Sequence, residues 1–521
     1  QSLPAADIAY ILHDSDARVV FIENIEQLEK IKEIKTQEFD IPAVENRPAL
    51  KVRLEIKNII SFEHIEGEED VVSLQQILKS DYGKVELQYL QTSRNDLASL
   101  VYTSGTTGPP KGVMQTHGNH LANIRQAYRS GMFKTDSCIM IVLPLAHSFA
   151  KLMGYICFLT PARAAFPAIA DKKSSKLIPE SITKDISLSG ATIYPLVPRM
   201  LEKMQGGIEK QAAAKSITGF LLGPALSVAG EVRKLIKEGR KAQGYLLIKY
   251  FLTKPLRRII RKKLFGPNFC YVISGGAKLS VDTAYFFEAM EIEVLEGYGL
   301  TETCVATNVN REGAKKIGTV GPVLDKDIEV TLGEDGEIRF RGPNVAKGYW
   351  NRPHASADSW DEEGWFHTGD LGSLDSEGYL SITGRKKELI VTAGGKKIAP
   401  DNIESKLKSI KYVSQAVLYG EGKPYCVALV TVDTASVKLP QGSAQQADKE
   451  KLLNEVHQKI WSEVENLNKM LASFESIKRI ALIEEDFTID NGLLTPTLKV
   501  KRSKVMEHFR DLIESLYEKT N

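Results

Sequence analysis

Ser99–Asn119 reads SLVYTSGTTGPPKGVMQTHGN: a β-like run, SLVYT, enters a loop crowded with Thr, Ser and Gly and closed by a lysine. Such a composition suits an anion. Gly105 and Gly108 let backbone amides approach it closely, the hydroxyls of Thr103, Ser104, Thr106 and Thr107 donate hydrogen bonds, and Lys111 supplies charge. The spacing differs from the Walker A loop, GxxxxGK[ST], which would need Gly at 110 and Ser or Thr at 112 where this chain has Pro110 and Gly112. Read alone, the segment is either a phosphate cradle of another type or a Gly- and Thr-rich turn that connects two elements.

Outward from this loop follow, in order, LPLAHSF (Leu143–Phe149), SGGA (Ser274–Ala277), EGYGLTET (Glu296–Thr303), GWFHTGD (Gly364–Asp370), GRKK (Gly384–Lys387), AGGKKIAP (Ala393–Pro400) and TPTLKVKR (Thr495–Arg502). Singly, several have ordinary readings. His147 beside an apolar run packs into a core, Glu302 is a solvated helix carboxylate, Arg385–Lys387 is a solvated face, and the lysines near 499 are a basic tail.

Taken together and in this order, the segments resemble the adenylate-forming (AMP-binding, ANL) superfamily, and within it the long-chain fatty acid–CoA ligases. The resemblance implies ATP, Mg²⁺ and coenzyme A as the small-molecule requirements. It assigns the ATP phosphates to Thr103, Ser104, Gly105, Thr106, Thr107, Gly108 and Lys111, and the metal to Glu302 with Thr106. Gly275, Gly276, Ala277, Gly297 and Gly299 would surround the nucleotide, with Tyr298 stacked on the purine and Thr301 on the α-phosphate. Asp370 would accept hydrogen bonds from both ribose hydroxyls, Arg385 would contact ribose and phosphate, and His147 would lie beside the substrate carboxylate. Lys387 falls at the hinge between a large and a small domain, Gly394 and Gly395 line the thiol tunnel, and Lys499 is the catalytic lysine. The family's usual Gly before that lysine is Leu498 here, as in many long-chain members. Members also usually carry a longer segment ahead of AADIAYILHDSDARVVFIE, which implies a chain that begins inside the first subdomain.

The rest of the sequence bounds the architecture. At roughly 100 to 200 residues per domain, 521 residues predict two to four domains. A hydrophobic share of 43% with 26% charged residues excludes wholesale disorder and collagen-like repetition. The net charge of +2 gives no global case for nucleic acid, and no recognition motif accompanies the local basic patch described below. Cys138, Cys157, Cys270, Cys304 and Cys426 are scattered with no metal-binding spacing, which fits free thiols and a cytoplasmic setting. No run approaches the length needed to span a bilayer.

Helix-then-strand alternation, begun by IAYILHDSD and ARVVFIE, predicts a layered α/β fold through the first 300 or so residues. Near residue 310 the texture shifts to short β runs (IEVTLG, GEIRFRG) with Asp-Gly and Gly-Pro turns, predicting a small β-barrel-like unit over about 310–384. Residues 1–384 then form the large AMP-binding domain and 385–521 a small mobile α+β domain with the hinge near Lys387. In the small domain ELIVT, DNIESKLKSI, SQAVLYG and CVALVTV predict strand, helix, strand and strand, followed by two amphipathic helices and a basic tail. Lys438–Lys449 reads as a surface loop.

The segment Met204–Phe265 mixes apolar helical pieces (ITGFLLGPALSVAG, GYLLIKYFL) with many cations and few acids. It reads either as a surface for an anionic membrane, from which a long-chain acid would be drawn, or as helices packed on the large domain with solvated charges. Together these features predict a long-chain fatty acid–CoA ligase. The alternatives are an acyl-acyl carrier protein synthetase and a non-catalytic, membrane-associated nucleotide-binding protein.

Overall fold

The structure is a computed structural model that describes residues 3–45, 47–80, 91–103, 109–168, 179–214, 217–433, 437, 446–488, 491–495 and 499–518. It opens with α1 (Ala5–Asp14), which turns Ala9, Tyr10 and Asp14 inward. The strand Val19–Ile22 follows, so the helix-then-strand order anticipated there is present; it pairs in parallel with Asn58–Ser61, which pairs in parallel with Val71–Ser73. Next, β1 (Leu97–Thr103) and β2 (Lys111–Thr116) form an antiparallel hairpin with Thr103 opposite Lys111. Ser104, Gly105, Thr106, Thr107 and Gly108, on which the phosphate-loop reading leans most, lie outside the described residues.

The large domain is built on a six-stranded sheet in the order Asn308–Val309, Val294–Tyr298, Tyr271–Ser274, Ile193–Leu196, Cys138–Met140, Arg163–Ala165, parallel throughout except at the Asn308–Val309 edge. Successive side chains of a strand point to opposite faces, and here both faces are covered. Ile139, Ile193, Ile273 and Leu295 pack under α2 (Ser148–Leu159) with Phe149, Leu152 and Ile156. Their neighbours Met140, Tyr194, Val272 and Val294 pack on the other side. That side carries α3 (Pro198–Ala213), α4 (Ile217–Lys237), α5 (Gly244–Leu252), α6 (Lys254–Phe265) and α7 (Val281–Ala289), with α5 lying outside the others against α4 and α6. We call Tyr271–Ser274 β3 and Val294–Tyr298 β4, since their C-terminal ends carry the SGGA and EGYG segments.

Beyond the sheet, Glu329–Leu332, Glu337–Arg341, β5 (Phe366–Leu374) and β6 (Leu380–Arg385) form a four-stranded antiparallel sheet. The Asp-Gly turn read from sequence joins its first two strands, with Gly336 at φ +80°. The small domain has the three-stranded sheet Val413–Tyr419, Cys426–Val432, Ile477–Ile483. One face packs on α8 (Pro400–Lys408) and the helix Gln446–Asn468, the other on Phe487, Leu493, Leu494, Val505 and Ile513.

The strand Ile477–Ile483, parallel to Cys426–Val432, adds to the elements expected for this domain. The basic tail is two short helices, Arg502–His508 and Arg510–Ser515, that bury Val505 and Ile513. Of the loop expected at Lys438–Lys449, residues 438–445 lie outside the described residues, and its last part is already helical. The five cysteines are free, and among the described residues no helix is long and apolar enough to cross a membrane.

Candidate active site

The site lies where β1–β2, the C-terminal ends of β3 and β4, the β5–β6 pair and the small domain meet. Lys111 begins β2, and its ammonium sits 4.7 Å from the centre of the Tyr349 ring. Burial, then the charge of Lys387, lowers its pKa, while Glu302 pulls the other way. The Tyr349 hydroxyl donates to Glu302 Oε1 at 2.8 Å. Burial raises the Glu302 pKa, opposed by that hydroxyl and by Arg385. Thr301–Thr303 forms a single 3₁₀ turn, and Gln115 Nε2 donates to the Thr301 carbonyl at 2.8 Å. After the turn, Cys304 (φ 51°) and Val305 (φ 105°) adopt positive φ, strained for a β-branched residue, and bring the Val305 carbonyl against Gly299. A Cβ on Gly299 would lie 1.3 Å from that oxygen, so only glycine fits there.

A carboxylate held in a desolvated site, with no lysine or arginine in direct salt-bridge contact among the described residues, suits a hard cation. Among the described residues no three His, Cys, Asp or Glu side chains gather as a metal cage. Glu302 would therefore share Mg²⁺ with phosphate oxygens, the arrangement this ion favours. Thr106 lies outside the described residues.

Asp370, buried on β5, accepts from the Tyr298 hydroxyl at 2.6 Å and pairs through its other oxygen with Arg385 Nε at 3.0 Å. Tyr298 and Arg385 end β4 and β6, and Asp370 lies directly opposite Arg385 in the sheet register. The local sequence GD…GR thus becomes a cross-strand ion pair. Gly297 is tight, since a Cβ there would lie 3.3 Å from the Asn308 carbonyl, whereas one on Gly275 would meet the Phe149 ring at an ordinary 3.5 Å. Gly276 has φ +84° and ends this run beside Ala277.

His147 caps α2, its Nδ1 accepting from the Phe149 N–H at 3.3 Å. Burial, then the charge of Lys499, lowers its pKa. Lys499 itself reaches in from the small domain. Its surface stays open to solvent, yet enough protein encloses it that desolvation, and after that Arg385, lowers its pKa; Asp370, Glu388 and Asp401 oppose. The structure therefore brings together Lys111, Tyr298, Glu302, Asp370, Arg385, Lys387, His147 and Lys499. It leaves Gly394 and Gly395 apart, in an exposed turn between Ile390–Val391 and Lys397–Ile398 that hydrogen-bonds to Thr392 and Lys423.

Three sets of residues escape a motif reading. Tyr349 bridges Lys111 and Glu302 from a distant segment. Asp14 of α1 accepts from Tyr102 at 2.7 Å and Arg352 at 2.9 Å, while Tyr10 donates to the Pro110 carbonyl at 3.1 Å, so α1 grips both ends of the Thr103–Lys111 loop. Arg199 of α3 reaches the Ser414 carbonyl at 3.0 Å, and Lys278 reaches Asn402 Oδ1 at 2.5 Å, joining the two domains. Each pairing links residues far apart in sequence, which local patterning does not report.

Comparison with known proteins identifies the family and the fold. Residues 1–350 match the AMP-binding enzyme family, and residues 387–521 match the AMP-binding enzyme C-terminal domain. The chain is 32% identical over 530 residues to the long-chain-fatty-acid–CoA ligase FadD15 of Mycobacterium bovis, covering 99% of this chain and 82% of that one. Its fold is similar to ATP-bound MatB from Rhodopseudomonas palustris (TM-score 0.65, 19% identity, 98% and 82% of the two chains). It is also similar to O-succinylbenzoate coenzyme A synthetase from Bacillus subtilis in complex with ATP and magnesium ion (TM-score 0.63, 19% identity, 96% and 82%). Two family domains in series and a near-full-length relative establish that this chain belongs to the AMP-binding enzyme family.

Proposed function

We propose that this chain is a long-chain fatty acid–CoA ligase. In the first half-reaction a carboxylate oxygen of the acid attacks the α-phosphorus of ATP, pyrophosphate leaves, and acyl-AMP forms. In the second, a thiolate of coenzyme A attacks the acyl carbon, a thioester forms, and AMP leaves. Adenylation replaces a poor electrophile, the carboxylate, with one that has a good leaving group. The protein's share is positioning and electrostatics.

The observation that carries the reading is that Lys499 of the small domain lies within electrostatic reach of Asp370 and His147 of the large one and of Arg385, which ends β6 at the boundary between them. Two cations facing a carboxylate that is itself tied to Tyr298 suit a nucleotide whose phosphate gains negative charge as the acid attacks. Asp370 would exchange its Tyr298 and Arg385 partners for ribose hydroxyls, and Thr301 and Lys111 would hold phosphate oxygens. Bound Mg²⁺ would neutralise phosphate charge, with Glu302 as its protein ligand. His147, whose pKa is lowered by burial and then by Lys499, would sit beside the acid. Rotation about Lys387 would then withdraw Lys499 and present Gly394 and Gly395 to the thiol. We read the enzyme as cytoplasmic and peripheral on a membrane surface.

The test is AMP release from Mg-ATP and palmitate with no acceptor, with coenzyme A, and with holo acyl carrier protein. Acceleration by coenzyme A is expected. Acceleration by the carrier alone would select the acyl carrier protein synthetase, and silence in all three with ATP still bound would overturn long-chain acid activation.

A further inference from the structure

Between Glu238 and Asp282 the chain has no acidic residue and nine cations from Arg240 to Lys263. This stretch contains α5 and α6, and α5 buries none of its residues. Tyr245, Leu247, Ile248, Phe251 and Leu252 are all more than half exposed, and Ile259 on α6 joins them at 58%. Leaving so many large apolar side chains of one short helix in water is unfavourable unless something covers them.

The crest is held in place from beneath. Tyr250, on the inner side of α5, donates its hydroxyl to the Ala289 carbonyl at 2.8 Å, and its ring lies 3.6 Å from the guanidinium carbon of Arg257. Arg257 is 1% exposed, donates to the Tyr250 carbonyl at 2.8 Å and Thr253 Oγ1 at 2.7 Å, and pairs with Glu291 at 3.3 Å. On α6, Ile260 and Phe265 face the core, while Arg258, Ile259, Lys262 and Lys263 face out. Among the described residues, no carboxylate pairs with Arg258, Lys262 or Lys263. The result is an apolar ridge flanked by uncompensated positive charge.

We propose that α5 and the outer side of α6 dock on an anionic lipid bilayer, with α5 lying in the headgroup region. Nine residues of helix extend about 14 Å, too short to cross but enough to lie in the interface plane. Long cationic side chains can reach headgroup phosphates while the apolar ridge enters the acyl boundary, and Tyr245 suits that boundary with one apolar and one polar end. Charge decides against a second copy of the chain as occupant, because a two-fold contact would press two acid-free cationic segments together. It leaves an acidic protein possible in principle, but such a partner offers no reason for five adjacent exposed apolar side chains.

The test is co-sedimentation of the full chain with phosphatidylcholine vesicles and with phosphatidylcholine–phosphatidylglycerol vesicles. Neither ATP nor acid is needed, so the outcome is independent of the catalytic reading. Binding is expected to the anionic vesicles and to weaken with salt. Phe251→Ser with Leu252→Ser should reduce it at least about tenfold, and each of Arg258→Gln, Lys262→Gln and Lys263→Gln about fivefold. These variants should keep their adenylation rate with a water-soluble acid, which separates lost docking from lost folding. Leu252→Trp should show a blue-shifted emission on anionic vesicles. Absence of anionic binding, unchanged binding of the double serine variant, or loss in that variant of carrier-protein binding or self-association instead of vesicle binding would each overturn the proposal.

Discussion

Replacing Asp14 by alanine tests whether α1 is a working part of the nucleotide site. The Asp14 and Arg352 side chains are 4% and 3% exposed and lie 2.9 Å apart. The same carboxylate accepts from Tyr102 at 2.7 Å and has Arg47 at 3.5 Å, and its backbone carbonyl accepts from the Trp350 indole at 2.9 Å. Asp14→Ala strands the Arg352 charge in a buried setting, which costs about 3 to 5 kcal/mol when one partner of such a pair is removed. Arg352→Met alone should cost less, because Arg47 and Tyr102 still serve the carboxylate. The double variant loses both charges together, so its cost should fall below the sum of the singles by about 2 kcal/mol or more. Urea unfolding followed by tryptophan fluorescence, read on the large-domain transition, measures all three. Because Tyr102 and Pro110 flank the phosphate loop, Asp14→Ala should also raise the KM for ATP more than it lowers kcat. Additive losses, or a cost for Asp14→Ala below about 1 kcal/mol, would refute the reasoning.

Other perturbations probe the remaining assignments. Burial pushes Glu296 from 4.5 up to about 7, so the folded state binds a proton the unfolded state has released, and stability falls as pH rises across that interval. At ~1.4 kcal/mol per unit, Glu296→Gln should stabilise the chain by up to about 3 kcal/mol at pH 8 and little at pH 4.5, as pH-dependent thermal melts would reveal. Burial pulls His120 down to about 4, so its contribution has the opposite sign: it is complete above 6.5 and lost as pH falls toward 4, and His120→Gln should flatten that acid limb. Tyr349→Phe removes the hydroxyl from Glu302 and should weaken apparent Mg²⁺ affinity about fivefold in a titration at saturating ATP; an unchanged curve would detach Tyr349 from the metal site. Lys499→Ala should abolish acyl-AMP formation while sparing thiolation of supplied acyl-AMP, and Gly394→Trp should do the reverse; equal loss of both steps in either variant counts against the division of labour.

What could be read from sequence was whatever has a local signature. The layered α/β fold was legible because helix-like and strand-like runs alternate, as in IAYILHDSD and ARVVFIE. Asp370 and Arg385 were singled out one by one through two short motifs, and only the strand register sets them opposite each other as a pair. Ile477–Ile483 was not singled out, because IKRIALI interrupts its apolar run with Lys478 and Arg479 and leaves the period of a short segment ambiguous; parallel pairing with Cys426–Val432 decides it. Contacts at long separation left no trace. Arg352 sits 338 residues from Asp14, and the aspartate alone, in HDSDAR, reads as a helix end before a turn. Nor could composition tell a ridge from a core in GYLLIKYFL, since the same apolar residues serve both.

The packing also says why a hinge near Lys387 is physically reasonable. Among the described residues, the two main cores of the large domain draw on positions up to Leu380, and the two cores of the small domain start at Ile390; no apolar core spans the join. What crosses it is polar: Arg199 to Ser414, Lys278 to Asn402, and Ser280 to Ser409 at 3.2 Å. Hydrogen bonds of this kind contribute little net free energy, because water replaces them when they open. Separating a shared apolar core would instead expose its area at about 25 cal/mol per Å². A domain joined by exchangeable polar contacts can therefore leave and return at small cost. Arg199→Ala and Lys278→Ala should then shift the balance between half-reactions, slowing acyl-AMP formation relative to thiolation, while leaving overall stability within about 1 kcal/mol. Equal slowing of both steps would mean these contacts support the fold and do not hold the domain in place.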